Sequence, residues 1–265
     1  MASSETGLSN SRASGSLWDM TGRAQVTTFI GAGGKTTCLR AITQEIDTAG
    51  HELIATTTTK VFPEESMKGW KNLGPPPYGQ EGNFFWYVDT EEESGKWMGP
   101  PLKAVDDAIL EDFNSSSTKR FWVIEGDGAR GLKLKCWEPH EPQIPRRTDC
   151  AVLVLDGGLW GKILQAEHVH RSAGCLDFLG HIWNAEQAWR YFLRSPVFAP
   201  QYGQMSWVIL LNAKASIDSD KSLFELNQRW AKIQRAGKDL GCRPNHLRIA
   251  AGDAKEGKLE WFDLW

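Results

Sequence analysis

No apolar run in this chain approaches the roughly 20 residues that a membrane-spanning helix needs, which excludes such a helix from the reading. Cysteine is scarce. The five present, Cys38, Cys136, Cys150, Cys175 and Cys242, stand far apart with no CxxC pair. That spacing argues against a disulfide framework and against a zinc knuckle, and the expected compartment is the cytoplasm. Neither sign of charge dominates: the net charge is −3, giving no overall pull toward nucleic acid or anionic membranes. Internal repeats are also lacking. The first twenty residues, MASSETGLSNSRASGSLWDM, are rich in serine and hold no apolar core of a secretory signal. Residues 1–22 are therefore expected to form a disordered leader.

Beyond residue 22 the chain alternates. Six short runs rich in β-branched or aromatic residues read as strands: Val26–Ile30, Glu52–Thr56, Phe121–Glu125, Ala151–Leu155, Trp207–Leu211 and Leu247–Ala250. Helical periodicity falls between them, over Thr36–Ala49, Pro101–Phe113, Asn184–Leu193 and Ser222–Ala236, where Ser222-x-x-Glu225 has the form of a capping box. Strands without apolar–polar alternation, separated by helices, predict an α/β fold with a mostly parallel, doubly wound sheet of P-loop NTPase type. One domain is expected over 23–265. An insertion over 63–120 carries Pro75–Pro77, the aromatic run Phe84–Val88 and a Ser94-Gly95-Lys96 turn to Trp97, read as a small β-hairpin followed by a helix.

Each predicted strand runs into glycine, threonine, acid or asparagine, at the edge where open α/β sheets bind ligands. The first of these tails is Gly31-Ala32-Gly33-Gly34-Lys35-Thr36-Thr37. It departs from GxxxxGK[ST], since Phe29 stands where the first glycine belongs, and is similar to the shorter GxxGKT loop of Mur-type amide ligases. Glycines let backbone N–H groups converge on phosphate oxygens at a helix N-terminus that carries partial positive charge. ATP or GTP is the expected ligand, with Lys35 at the β- and γ-phosphates and Thr36 on Mg²⁺. A second tail, Glu125-Gly126-Asp127-Gly128, ends an apolar strand. An acid there is costly to desolvate unless a cation is near, so Glu125 or Asp127 is the expected metal partner of Thr36. Lys35, Glu125 and Asp127 are the expected catalytic set.

The third tail, Thr56–Lys60, has two readings. Threonine is a good β-former and the run could simply prolong a strand; alternatively Thr58, Thr59 and Lys60 reach the γ-phosphate side. A fourth stretch, ARGLKLKCWEPHEPQIP, supplies Arg130, Lys133, Lys135, His140 and Glu141; spacing alone favours a solvated basic loop, and the alternative is a proline-stiffened loop suited to a substrate or partner. Cys136-x-x-x-His140 is too little for a metal site. The segment EHVHR adds His168, His170 and Arg171.

Taken in order, GAGGKTT, TTTTK, EGDGARG, HEPQIP and VHR resemble the selenium-dependent molybdenum hydroxylase accessory proteins, the YqeC-type P-loop family, from about Val26 to about Asn212. The resemblance implies a nucleotide-binding accessory role in maturation of a molybdenum hydroxylase, with that enzyme or its cofactor intermediate as partner. It carries over Gly31–Thr37, Thr56–Lys60, Glu125, Asp127, Arg130, His140, Glu141, His170 and Arg171 as matching positions. Two departures stand out. Ser172-Ala173-Gly174 follows VHR where proline and glutamate are expected, and Asn212-Ala213-Lys214-Ala215 replaces a guanine-reading NKxD, leaving ATP and GTP both open. Three functions fit: a nucleotide-hydrolysing maturation factor, a small-molecule kinase or Mur-like ligase, and a non-catalytic nucleotide-dependent interaction protein.

Overall fold

All six predicted strands lie in one ten-stranded sheet, and four further strands extend it. A computed structural model describes residues 11–80, 82–115, 119–213, 219–237 and 242–265. In chain order the strands are β1 (Arg12–Gly15), β2 (Val26–Gly31), β3 (Leu53–Thr57), β4 (Lys68–Lys71), β5 (Phe84–Tyr87), β6 (Phe121–Glu125), β7 (Cys150–Asp156), β8 (Ser206–Asn212), β9 (His246–Asp253) and β10 (Lys258–Asp263). Their spatial order is β1-β10-β9-β8-β7-β2-β6-β3-β5-β4. Every neighbouring pair is parallel except β9–β10 and β10–β1 at one edge. This is a mixed α/β fold with a large, mostly parallel central sheet.

Helices cover both faces, which is why the central strands are apolar throughout rather than alternating. In β7, Val152 and Val154 turn toward α2 (Lys35–Thr48), packing with Leu39, Ile42 and Ile46. Leu153 and Leu155 turn the other way, into a cluster with Trp189 of α4 (Ala185–Phe192) and Trp230 of α5 (Ser219–Arg235). A third cluster joins Val105 and Ile109 of α3 (Leu102–Asn114) to Ile54, Trp122 and Ile124.

Four expectations are corrected. The leader is ordered from residue 11: β1 pairs antiparallel with β10, and Leu17 and Met20 are fully buried. Burial of such side chains is worth about 1.5–3 kcal/mol each, enough to override a serine-rich composition. Residues 1–10 lie outside the described residues. The aromatic run is not a hairpin arm: Phe84–Tyr87 pairs in parallel with β3 and β4 inside the main sheet. The turn before Trp97 does close a small antiparallel pairing, Asp89–Thr90 with Trp97–Met98, which also pairs with Lys60–Val61. Ser222 lies inside α5, its Oγ donating to the Ser219 carbonyl, so Ser222-x-x-Glu225 is not a capping box. Finally, Cys136 and Cys175 form a disulfide, with Cα atoms 6.1 Å apart. It ties together segments that the sequence spacing keeps apart.

Candidate functional site

β2 feeds directly into the glycine loop, and the loop is pinned from three sides. The Gly31 N–H donates to both carboxylate oxygens of Asp127, at 3.1 and 3.0 Å. Ala32 N–H donates to the Val154 carbonyl, and Gly33 N–H to that of Leu132. Gly33 and Gly34 have φ of 81° and 119°, and a Cβ on Gly33 would collide with the Asp156 backbone. Glycine is demanded here by both conformation and closeness. The Asn212 side chain donates its Nδ2–H to the Gly33 carbonyl at 3.0 Å and accepts from Ala254 N–H, bracing the loop from β8. Gly34 then starts α2, which has no side-chain cap. The N–H groups of a first helical turn have no partner within the helix, so they face outward as donors.

Lys35 and Thr36 sit at this helix start. Lys35 Nζ donates to the Gly31 carbonyl at 2.6 Å and lies 3.1 Å from Asp127 Oδ1 and 3.8 Å from Glu125 Oε1. Burial works to lower the Lys35 pKa, but the attraction of Asp127 and Glu125 prevails and raises it, so the ammonium stays charged. Thr36 Oγ1 donates to Glu125 Oε2 at 3.1 Å. Burial pushes the Glu125 carboxyl above the ordinary glutamate value, against the pull of Lys35. Beneath the loop, burial pushes the Cys38 thiol up to about 12, which removes it as a nucleophile.

The loop forms one wall of a cavity of about 1050 Å³. Gly33, Gly34, Lys35, Thr36, Thr37 and Glu125 line that wall. Thr59 and Lys60 line another, as do Arg130, Glu141, His170 and Arg171. All five sequence motifs therefore meet at one opening. A short parallel pairing, Leu134–Lys135 with Val169–His170, brings the segment after Arg130 against the VHR segment. Burial lowers the His170 pKa, helped by Lys135, Arg171 and Arg130, so its imidazole is neutral at pH 7.

Other expected residues lie behind or outside the cavity. Gly31 and Ala32 are consumed in loop bonds, and Asp127 is fully buried, accepting also from Trp137 Nε1–H at 2.8 Å. Thr58 Oγ1 donates to the Gln143 carbonyl. Lys135 is fully buried against Glu141, Asp127 and the Gly128 carbonyl, so it offers nothing to a partner surface. Lys133 is half-buried off the lining, and His140 is exposed beside Glu138. The sequence offers Asn212 only as a polar strand tail and in the NKxD comparison, not as a brace, and it does not offer Glu138, which stands on the cavity wall. Polarity at the end of β8 marks Asn212 in the sequence, whereas no local signal marks Glu138.

Oxygen donors of this kind suit a hard divalent cation. Among the described residues no group of three or more His, Cys, Asp or Glu side chains is placed to hold a metal by itself. Mg²⁺ is commonly held by one or two protein oxygens with phosphate and water completing its shell, and Thr36 with Glu125 fits that requirement.

These features define an α/β protein with a glycine-rich loop opening a helix at the carboxyl edge of its sheet. Residues 27–173 match the family model described as YqeC protein; that is more than half of the 265 residues, and the chain belongs to the YqeC family. It is 29% identical over 163 residues to the protein named "Uncharacterized protein YqeC" of Escherichia coli (strain K12). The matched region covers 60% of this chain and 62% of that protein, so the chain spans less than two thirds of the relative's length. No solved structure matches the chain. Among the described residues no helix is long and apolar enough to cross a membrane.

Proposed function

We propose that this protein binds ATP or GTP with Mg²⁺ at Gly33–Thr37, hydrolyses it, and uses it in maturation of a selenium-dependent molybdenum hydroxylase or its cofactor. The observation carrying the nucleotide reading is the 3.1 Å contact of Thr36 Oγ1 with Glu125 Oε2, made at an uncapped helix N-terminus beside a buried, charged Lys35. Burying a carboxylate is costly unless positive charge stands near it, and a cation on the cavity side of Glu125 would offset that cost further than Lys35 alone. In this reading the outward N–H groups of the first α2 turn donate to phosphate oxygens. The Lys35 ammonium offsets charge at the β- and γ-phosphates, and Thr36 and Glu125 hold the cation. The Mg²⁺ would neutralise developing phosphate charge when bound. Asp127 serves as a brace, fixing Gly31 and orienting Lys35. Convergence of all five motif segments on one cavity supports a shared role for them, and the maturation reading rests on the resemblance of those motifs to the selenium-dependent molybdenum hydroxylase accessory proteins.

Two experiments test the two halves. Replacing Lys35 with Ala removes charge-assisted contacts of about 1.5–3 kcal/mol, about 10- to 150-fold in affinity. Equal calorimetric affinity of both proteins for the triphosphate defeats the site. Deleting the gene is expected to abolish activity of the partner hydroxylase. Full activity and cofactor content in the deletion strain defeat the maturation role.

A further inference from the structure

The cavity has a second charged wall, and its backbone is unusual. Three non-glycine residues among those described have positive φ: Arg23, Arg130 at 52° and Arg171 at 61°. The left-handed region is unfavourable for a side chain with a Cβ, and such residues cluster at ligand clamps. Arg130 and Arg171 line the same cavity, on the wall formed after β6 and by Val169–His170.

The two arginines are held differently. Arg130 is exposed, and among the described residues its side chain enters no ion pair. Arg171 is anchored through Nη1, 2.5 Å from Glu138 Oε2 and 3.2 Å from Glu141 Oε2, while its side chain stays partly exposed on the cavity wall. Glu141 is already balanced by Lys135 at 3.0 Å, and Glu138 is half exposed. Arg130 and Arg171 stand here against Glu138 and Glu141, and across the whole cavity six lining Lys and Arg side chains face four Glu, a positive excess around the neutral His170. The cavity, at about 1050 Å³, also exceeds the ~300–1000 Å³ usual for one small ligand.

We propose that Arg130 and Arg171 form a second oxyanion site, which holds a small carboxylate- or phosphate-bearing substrate facing the nucleotide. This rests on the nucleotide reading above and names the class of molecule that shares the cavity. Guanidinium forks match carboxylate and phosphate oxygens in pairs, and the exposed fork of Arg130 is the one left open for them.

The test titrates orthophosphate and, separately, malonate by calorimetry into two proteins. One is the wild type saturated with Mg²⁺ and a non-hydrolysable triphosphate; the other is nucleotide-free Lys35→Met, whose phosphate loop is disabled. Arg130→Gly is the informative variant, since glycine adopts positive φ freely and its unfolding midpoint should be unchanged or higher. Oxyanion affinity is expected to fall about tenfold or more in both backgrounds. Binding of phosphate alone identifies a phosphorylated substrate, and of malonate alone a carboxylate. No Arg130-dependent binding in either protein overturns the proposal. So does an equal loss of triphosphate affinity in Arg130→Gly, which would assign the arginine to the nucleotide. If the wild type fails to bind triphosphate while Lys35→Met still binds an oxyanion through Arg130, the nucleotide reading falls and this site stands.

Discussion

Among the described residues two buried clusters of charge are built differently. The first, Arg120–Asp112, is closed. Arg120 Nε and Nη2 donate to the two Asp112 oxygens at 2.9 and 2.8 Å, Nη1 donates to the Pro76 carbonyl, and Trp122 Nε1–H completes Asp112. Every strong group has its partner, and the pair sits beneath α3 away from the large cavity. The second, Lys35 with Glu125 and Asp127, is open. Its Glu125 side meets the cavity, one Lys35 contact is as long as 3.8 Å, and burial holds the Glu125 carboxyl above its ordinary value. A closed cluster holds a fold together. An open one at a loop–helix junction is costly to maintain and has capacity left for a ligand.

Breaking the closed cluster should give the largest effect. Asp112→Ala strands a buried guanidinium, and the expected destabilisation is about 3–5 kcal/mol by denaturant titration. Triphosphate affinity of the remaining folded protein should not change.

Lys35→Met should reverse that pattern. Its expected cost is about 1.5–3 kcal/mol in triphosphate affinity, with a smaller stability change than Asp112→Ala, because Asp127 keeps the Gly31 N–H, Trp137 and Lys135. An unfolding loss as large as that of Asp112→Ala would make the two clusters equivalent and remove the contrast.

The loop's brace is a smaller lever. Asn212→Ala removes hydrogen bonds to Gly33 and Ala254, and an expected loss of about 1 kcal/mol should appear as a several-fold weaker triphosphate affinity.

The pH dependence should be the mildest signal. The folded Glu125 pKa is raised above its unfolded value, so the folded state binds more protons between the two values. Stability contributed by this group is therefore lost as pH rises through that interval. Glu125→Gln should flatten the stability–pH curve there, with no loss at pH 8. A variant that retains the wild-type slope would show that the open cluster carries no such cost.

The same contrast explains what the sequence could disclose. β2, β3, β6, β7, β8 and β9 were legible because their apolar runs are long and both faces are covered. β4 was not: Lys68-Gly69-Trp70-Lys71 has no apolar run, and edge position alone makes it a strand. Leu17 and Met20 were hidden in a serine-rich stretch because their packing partners lie far along the chain. At the site, the glycine loop and both acids could be read from residue type. Which acid faces the cavity could not, since Glu125 and Asp127 are two residues apart, and only the fold places Gly31 N–H and Trp137 against Asp127. The meeting of Lys135 with His170 rests on a two-residue pairing too short to leave a periodic signal.

The measurement closest to the central claim is calorimetric titration of ATP and GTP into wild type and Glu125→Gln, each in Mg²⁺ and in EDTA. The open cluster predicts that Mg²⁺ tightens triphosphate binding to the wild type by about tenfold or more, and that Glu125→Gln largely erases this increment while still binding in EDTA. An unchanged Mg²⁺ increment in Glu125→Gln, or no triphosphate binding to the wild type in either buffer, would contradict the account.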